Sequence, residues 1–271
     1  LNAAELEAAP IDAGDALARR KRRLTIIRVS SIIVAFGCWE IFGRQINPLF
    51  MSYPSKIVVG AITLMQDGVL QTALVESLRT LVLGYVGGAL VGVTAGLLVG
   101  RYREVEAATD WLINALYATP LVALIPLVIL WFGLGFQAKL FIVFLFTLFP
   151  VLINTSIGVK NVSRSLIDVA VAFVANERQI FSKIILPASL PYVMAGLRLG
   201  IGRAIIGMVT AEFFTAISGL GGLVVKYGNN FRTDEMLVPV LILMGLGVLL
   251  TGALQRAEQL IAPWKTNEHN D

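Results

Sequence analysis

Of the ionisable residues that fall inside runs of apolar sequence, three are where this chain could do chemistry: Arg198, Arg203 and Glu212. A charge within a hydrocarbon layer is costly, so it is the default functional candidate in such a run. An arginine there can attract an anion, and a carboxylate can pair with it or stabilise helix contacts. Nucleophilic and metal chemistry find little material. Cys38 is the single cysteine and His269 the single histidine. That excludes an internal disulfide, a cysteine-clustered zinc site and multi-histidine metal sites. It also removes Ser-His and Cys-His catalysis unless the segment around residue 269 folds back. No Gly-Lys dipeptide occurs, so the GxxxxGK phosphate loop is absent. The two aspartates that an intramembrane aspartyl protease needs within its spans are not there either.

The elements that must position these residues are apolar helices. Of 271 residues, 56% are hydrophobic and 15% charged, with a mean hydropathy of +0.78; a soluble domain carries roughly 25% charged residues. Six stretches, at about 24–43, 78–100, 109–133, 138–158, 192–216 and 237–258, approach or exceed the ~20 residues that cross a ~30 Å hydrocarbon core. Barrel-type alternation is absent, so all six read as helices and the chain as an all-α integral membrane protein. The basic run Arg19 to Arg23 precedes the first stretch. That stretch is too long for a signal-peptide core and lacks a small-x-small cleavage site, so it reads as a retained anchor.

Net charge is +4 and the isoelectric point about 9.3, yet the basic residues sit at helix ends. With the N-terminus inside, thirteen Lys and Arg fall on inner segments and six on outer ones, with Arg28, Arg198 and Arg203 left within spans. The excess places both termini in the cytoplasm and makes nucleic acid a poor second explanation. At about 1.5 Å per residue from Tyr192, Arg198 lies roughly 9 Å deep and Arg203 roughly 17 Å. Arg198 can snorkel to the interface. Arg203 is near the midplane and must face the bundle, a carboxylate or a solute path. Glu212, near the outer end, serves a path, helix packing or an outer gate.

The second stretch carries Gly84, Gly88, Gly92, Gly96 and Gly100 in strict i,i+4 register, a flat face for close helix contact. Pro120 and Pro126 predict a kink in the third. Residues 54–77 predict an amphipathic helix at the outer interface, opening at Pro54-Ser55. Residues 159–191 are the largest cytoplasmic loop, with two short amphipathic helices expected at about 164–174 and 177–185, the second stopped by Pro187. Ile180, Phe181, Ile184 and Ile185 line one side of the second; Glu177, Arg178 and Lys183 lie elsewhere. Residues 217–236 form the main outer loop.

That cytoplasmic segment resembles the EAA loop of bacterial ABC-importer permeases: Glu-Ala-Ala, a glycine six residues after the Glu, then Ile-x-Leu-Pro. Asp168 takes the Glu position, Val169 and Ala170 the two alanines, and Ile184, Leu186 and Pro187 the distal end. Val174 stands where the glycine is expected, which argues against a tight turn of positive φ there. Further segments agree in order: Pro120 to Gly135, Phe149 to Thr155, Leu186 to Pro191, Gly196 to Gly200 and Ala211-Glu212. Together they look like the permeases that serve nitrate, taurine, alkanesulfonates and related solutes.

The resemblance implies a type I importer transmembrane domain of six helices in the bacterial inner membrane. It would work as a homodimer with two cytoplasmic ATPase subunits and an extracytoplasmic solute-binding protein. ATP and Mg would sit on the ATPases, with no cofactor on this chain and no catalysis by it. Domain boundaries would be a cytoplasmic tail 1–23, a permease domain 24–260 with its coupling loop at about 159–191, and a tail 261–271. The coupling residues would be Asp168, Ala170, Val174, Glu177, Arg178, Phe181, Ile184, Leu186 and Pro187. The solute is expected to be a small anion, with a neutral or aromatic nutrient as the alternative. A secondary transporter is the rival class, but it has no need of such a loop, and no half-to-half repeat is visible.

Overall fold

Glycine at every fourth position and proline at a few others decide where the helices run and where they break. The computed structural model of the chain describes residues 11–215 and 218–261, so His269, residues 1–10 of the expected N-terminal tail and nearly all of the C-terminal one lie outside the described residues. Every regular element among them is helical: α1 (Ile11–Gly43), α2 (Pro54–Gln66), α3 (Val69–Arg101), α4 (Arg103–Ala118), α5 (Ile125–Phe132), α6 (Phe136–Lys160), α7 (Arg164–Ala172), α8 (Glu177–Ile180), α9 (Leu186–Thr215), α10 (Gly219–Asn229) and α11 (Thr233–Ile261). Among the described residues five helices are long and apolar enough to cross a membrane: Arg22–Gly43, Val69–Arg101, Phe136–Lys160, Glu177–Thr215 and Thr233–Ile261. The sixth span is a broken one.

That break corrects the expected kinked span at 109–133. α4 and the segment Leu121–Phe132 meet at 89°. Pro120 drives its predecessor Thr119 to ψ 130, out of the helical region, because the proline ring clashes with a helical neighbour on its N-terminal side. Pro126 makes no further kink; it lies in the first turn of α5, where a missing N–H costs no helical bond.

Three other expectations change. Residues 54–77 are not one interfacial helix. Gly68, at φ 71, separates α2 from α3, and α3 takes the remainder into its 33 residues. The outer loop 217–236 holds a helix of its own, α10. Pro187 does not stop the second loop helix. Residues Phe181–Ile185 form a π-turn in which the Leu186 N–H donates to the Phe181 carbonyl, five residues back. The wider turn absorbs the bond that Pro187 cannot donate, and the helix runs on from Glu177 to Thr215.

α6 is the central element, lying between α3 and α9. On its α3 side Val143, Thr147, Val151, Thr155 and Val159 form a buried β-branched stripe, also in i,i+4 register. Each faces one of the five α3 glycines. A Cβ built at Gly84 would come 2.7 Å from Val143 Cβ, at Gly92 2.9 Å from Val151 Cβ, and at Gly96 2.6 Å from both Thr155 Cβ and the Leu152 carbonyl oxygen. On the other side Gly196, Gly200 and Gly207 of α9 approach α6 at Val151 and Phe146 in the same way. α1 stands apart: the most apolar part of its span buries none of its residues. It is joined to α2 at its end, where Trp39 Nε1 donates to the Ser52 carbonyl (3.0 Å) and Glu40 accepts from Arg44 and Ser55.

Because backbone atoms face Gly96, even a methyl group there forces the helices apart. Gly96→Ala is expected to destabilise the bundle by about 1–3 kcal/mol, seen as a lower melting temperature of the detergent-solubilised protein, and Gly92→Leu by more. Gly37, with nothing within 4 Å of its added Cβ, is the control: Gly37→Ala should be neutral or slightly stabilising. Equal melting of Gly96→Ala and the parent would refute the close contact.

Candidate functional site

Two regions at opposite ends of the bundle carry the candidate residues, and α9 connects them. At one end is the segment 161–185. Its inner side is a small core in which Ala170, Ile180 and Ile185 pack on Val159 and Val162, with Phe181 and Ile184 half-buried around them. α8 begins with a capping box: Asn176 and Gln179 exchange side-chain bonds with each other's backbone N–H, both at 2.9 Å. Glu177 is paired with Arg101 at the end of α3, and Glu106 with Lys160 at 2.7 Å. Glu177 is therefore part of how the loop is tied to the bundle. Asp168, Arg178, Leu186 and Pro187 are exposed.

The turn after α7 differs from the expectation for Val174. Its φ is +56, the left-handed region where glycine is preferred. The Ala175 N–H donates to the Ala170 carbonyl (3.0 Å) and the Val174 N–H to the Val171 carbonyl (2.9 Å), the bond pair of a Schellman motif with Val174 in the glycine's place. The turn survives the substitution at the expense of strain. Val174 is 89% exposed and Phe173 83%, with Leu166, Val169 and Val171 also uncovered on α7. The most exposed apolar side chains of the loop lie on α7 and this apex, while the 177–187 segment that the sequence pattern favoured adds Leu186.

The three buried-charge candidates do not share a wall. Arg203 and Glu212 are nine residues apart, about two and a half turns, and so point from opposite sides of α9. Arg198 forms an ion pair with Glu258 of α11, a partner from another helix that spacing within α9 could not reveal; Glu258 is the single acid of α11 beyond its first turn. Arg203 is exposed, and among the described residues no carboxylate lies within ion-pair distance of it. It shares a stripe with Leu199, Ile206 and Phe213, all exposed.

Glu212 is 1% exposed and fully engaged. Its carboxylate accepts from the Ser77 hydroxyl of α3 (2.6 Å) and the Gly221 N–H of α10 (2.7 Å), while Ser77 accepts from the Leu220 N–H (2.8 Å). An acid at a helix N-terminus satisfies free N–H groups and meets the positive end of the dipole. Gly219, at φ +88, is required twice over, since a Cβ there would collide with the Glu212 carboxylate. Glu212 thus clamps α9, α3 and α10 together, and it also borders a cleft lined by Glu76, Arg79 and Lys139. Beside it Lys139 of α6, 5% exposed, donates to the Ser218 hydroxyl at 2.8 Å. Sequence reasoning treated Lys139 as an orientation signal and missed Ser77 and Ser218. The cluster of small residues Ser218 to Gly222 was the available sign of a tight approach.

Comparison with known proteins agrees with this arrangement. Residues 88–264 match the family described as binding-protein-dependent transport system inner membrane component. The chain is 30% identical over 249 residues to the taurine transport system permease protein TauC of Escherichia coli, covering 90% of both chains. It is 30% identical over 231 residues to the formylaminopyrimidine transport permease protein ThiX of Halalkalibacterium halodurans, covering 85% of this chain and 92% of that one. Among solved structures, the inward-facing MetNI methionine ABC transporter aligns with a TM-score of 0.60 at 19% identity, over 69% of this chain and 93% of that one; this likeness concerns the fold. A bundle of five unbroken spans and one broken, an exposed loop between the fourth and fifth, and a family match over most of its length lead to one conclusion: the chain belongs to the inner-membrane permeases of binding-protein-dependent ABC importers.

Proposed function

We propose that this permease works as a homodimer carrying a small anion, such as nitrate, a sulfonate or a related organic acid, into the cytoplasm, both termini inside. Two ATPase subunits dock on the 161–185 loop and bind the ATP and Mg; the solute-binding protein sits at the opposite end; this chain itself catalyses nothing. The observation that carries the reading is the exposed apex at Phe173 and Val174. Apolar side chains at 83% and 89% exposure, one of them on a strained backbone, make sense on a surface that another protein covers. ATPase closure would then move the loop, and through the continuous helix from Glu177 the α9 span behind it. TauC, by its name, transports taurine, a solute whose sulfonate head is anionic. The exposed Arg203 stripe supports an anion over a neutral nutrient, since a membrane-embedded cation without a carboxylate is compensated by water and a passing anion.

Two experiments test this. Val174→Gly relieves a left-handed β-branched residue and should stabilise the permease by about 1–2 kcal/mol, whereas Phe173→Asp should leave its melting temperature unchanged. Both should reduce ATPase co-purification and ligand-stimulated ATP hydrolysis, Phe173→Asp the more strongly. Wild-type coupling in Phe173→Asp would sink the docking reading. Separately, Arg203→Met should lower reconstituted uptake at least tenfold with little change in melting temperature, and Arg203→Lys should retain part of it. Wild-type uptake in Arg203→Met would rule out a path role, whatever its stability.

A further inference from the structure

The foot of α1 carries positive charge that the bundle does not answer. Arg19-Arg20-Lys21-Arg22-Arg23 is the densest basic run of the chain, and the apolar span Arg22–Gly43 starts within it. Arg28 lies five residues beyond Arg23, about 7.5 Å further along the helix axis, past the exposed apolar Leu24, Ile26 and Ile27. Arg20, Arg22, Arg23 and Arg28 are all exposed, and none of the four makes an ion pair among the described residues. Membrane orientation asks only for basic residues on one side of a span, which the run itself provides. It does not ask for an arginine inside the apolar stretch.

Direction and depth both select the partner. At 3.6 residues per turn the four arginines are spread right round α1, with no gap between neighbouring directions wider than about 120°. A protein docked against one side of the helix would leave much of that ring in water, whereas the head-group layer of a bilayer surrounds the helix and meets all of it. Helical side chains lean back toward the N-terminus, so the Arg28 guanidinium reaches toward the ring from the hydrocarbon side. Arg20, Arg22 and Arg23 reach the same layer from the water side. A phosphate between them is met from both, and a planar guanidinium can take two of its oxygens at once. Four to eight Lys and Arg at the end of a spanning helix attract anionic lipid, and the exposed Val29, Ile32 and Ile33 beyond Arg28 offer the acyl chains an apolar surface.

We infer that the basic ring and Arg28 form a binding site for the phosphates of anionic phospholipids at the N-terminal foot of α1, with Arg28 holding one phosphate by both arms of its guanidinium. With the N-terminus inside, as proposed above, these lipids belong to the inner leaflet; the binding itself depends neither on that orientation nor on the solute carried. Such lipids hold α1 at a fixed depth, a task that packing does not perform, since the most apolar part of its span buries none of its residues. At its other end α1 passes that depth on to α2 through the bond from the Ser55 hydroxyl to Glu40.

The test compares the permease–ATPase complex in nanodiscs of phosphatidylcholine alone and of phosphatidylcholine with increasing phosphatidylglycerol. Thermal shift reads the affinity, and native mass spectrometry counts the lipids kept after detergent extraction. Phosphatidylglycerol is expected to bind at least tenfold more tightly than phosphatidylcholine. Arg28→Gln should weaken it at least fivefold, and Arg22→Gln combined with Arg23→Gln at least as much. Arg28→Lys, which keeps the charge but not the fork, should retain part of the binding. Arg103→Gln, which removes an exposed charge from the start of α4, should leave it unchanged. In phosphatidylcholine all variants should melt like the parent, because no ion pair is lost. Equal binding of the two lipids, an unaltered Arg28→Gln, or equal weakening by Arg28→Gln and Arg103→Gln would overturn the site. Displacement of phosphatidylglycerol by inorganic phosphate would overturn it in favour of a soluble anion. Loss of the proposed homodimer in Arg28→Gln with lipid retention intact would assign Arg28 to a second copy of the chain and overturn it equally.

Discussion

The contact between α3 and α6 is the constraint on which the remaining architecture depends. In lipid, apolar side chains gain nothing by leaving one hydrocarbon surface for another, so helix association must come from close van der Waals contact and from polar links. Five glycines facing five β-branched residues in matching register provide that contact over the length of both helices. The β-branched partners suit the task because their χ1 is already restricted, so little side-chain entropy is lost when they are clamped. With α6 fixed against α3, the glycines of α9 bring the third helix onto the other side of α6. α9 then meets α10 through Glu212 near its C-terminal end, and α11 through Arg198 and Glu258.

Charge is distributed to match. The buried or half-buried ions of α9 that face other helices have protein partners, and the exposed one does not. Removing either member of the Arg198–Glu258 pair would leave a charge stranded in a low-dielectric setting, which is far costlier than the pair's net contribution to stability. Glu212 has a different solution, since the Gly221 N–H and the Ser77 hydroxyl, itself held by the Leu220 N–H, satisfy its two oxygens. Arg203 is left as the charge of α9 that only something outside the described chain can compensate.

Much of this was legible in the residues. The glycine register announces a close helix face because its period equals the helical one, and Ile180, Phe181, Ile184 and Ile185 announced the buried side of the loop. What was not legible depends on partners distant in sequence or on how backbone strain is resolved. A proline predicts that a ladder is interrupted, but not whether the result is an 89° break, as at Pro120, or a π-turn that lets the helix continue, as before Pro187. Asp168, Leu186 and Pro187 belong to the matched pattern, and like Arg178 and Glu177 they are exposed, yet only the fold shows that Glu177 is tied to Arg101. The clamp around Glu212 joins α3, α9 and α10, and no local pattern contains all three.

Val174 shows how a departure from a sequence pattern is to be understood. Replacing a glycine by valine at a left-handed position can change the turn or strain it, and here the two Schellman bonds hold the turn and the strain remains. Phe231 repeats the geometry at the end of α10: φ is +55, its N–H donates to the Gly228 carbonyl, and the Arg232 N–H donates to the Tyr227 carbonyl. Both residues are exposed and apolar, so neither recovers the cost through burial within its own chain. Glycine would be the less strained choice at either apex. For Val174 the ATPase docking proposed above would supply the missing burial, and a rigid turn carrying an apolar tip would transmit force to α9 where a flexible glycine tip would yield. On that proposal the strain at the apex and the unbroken helix behind it are two parts of one mechanical link.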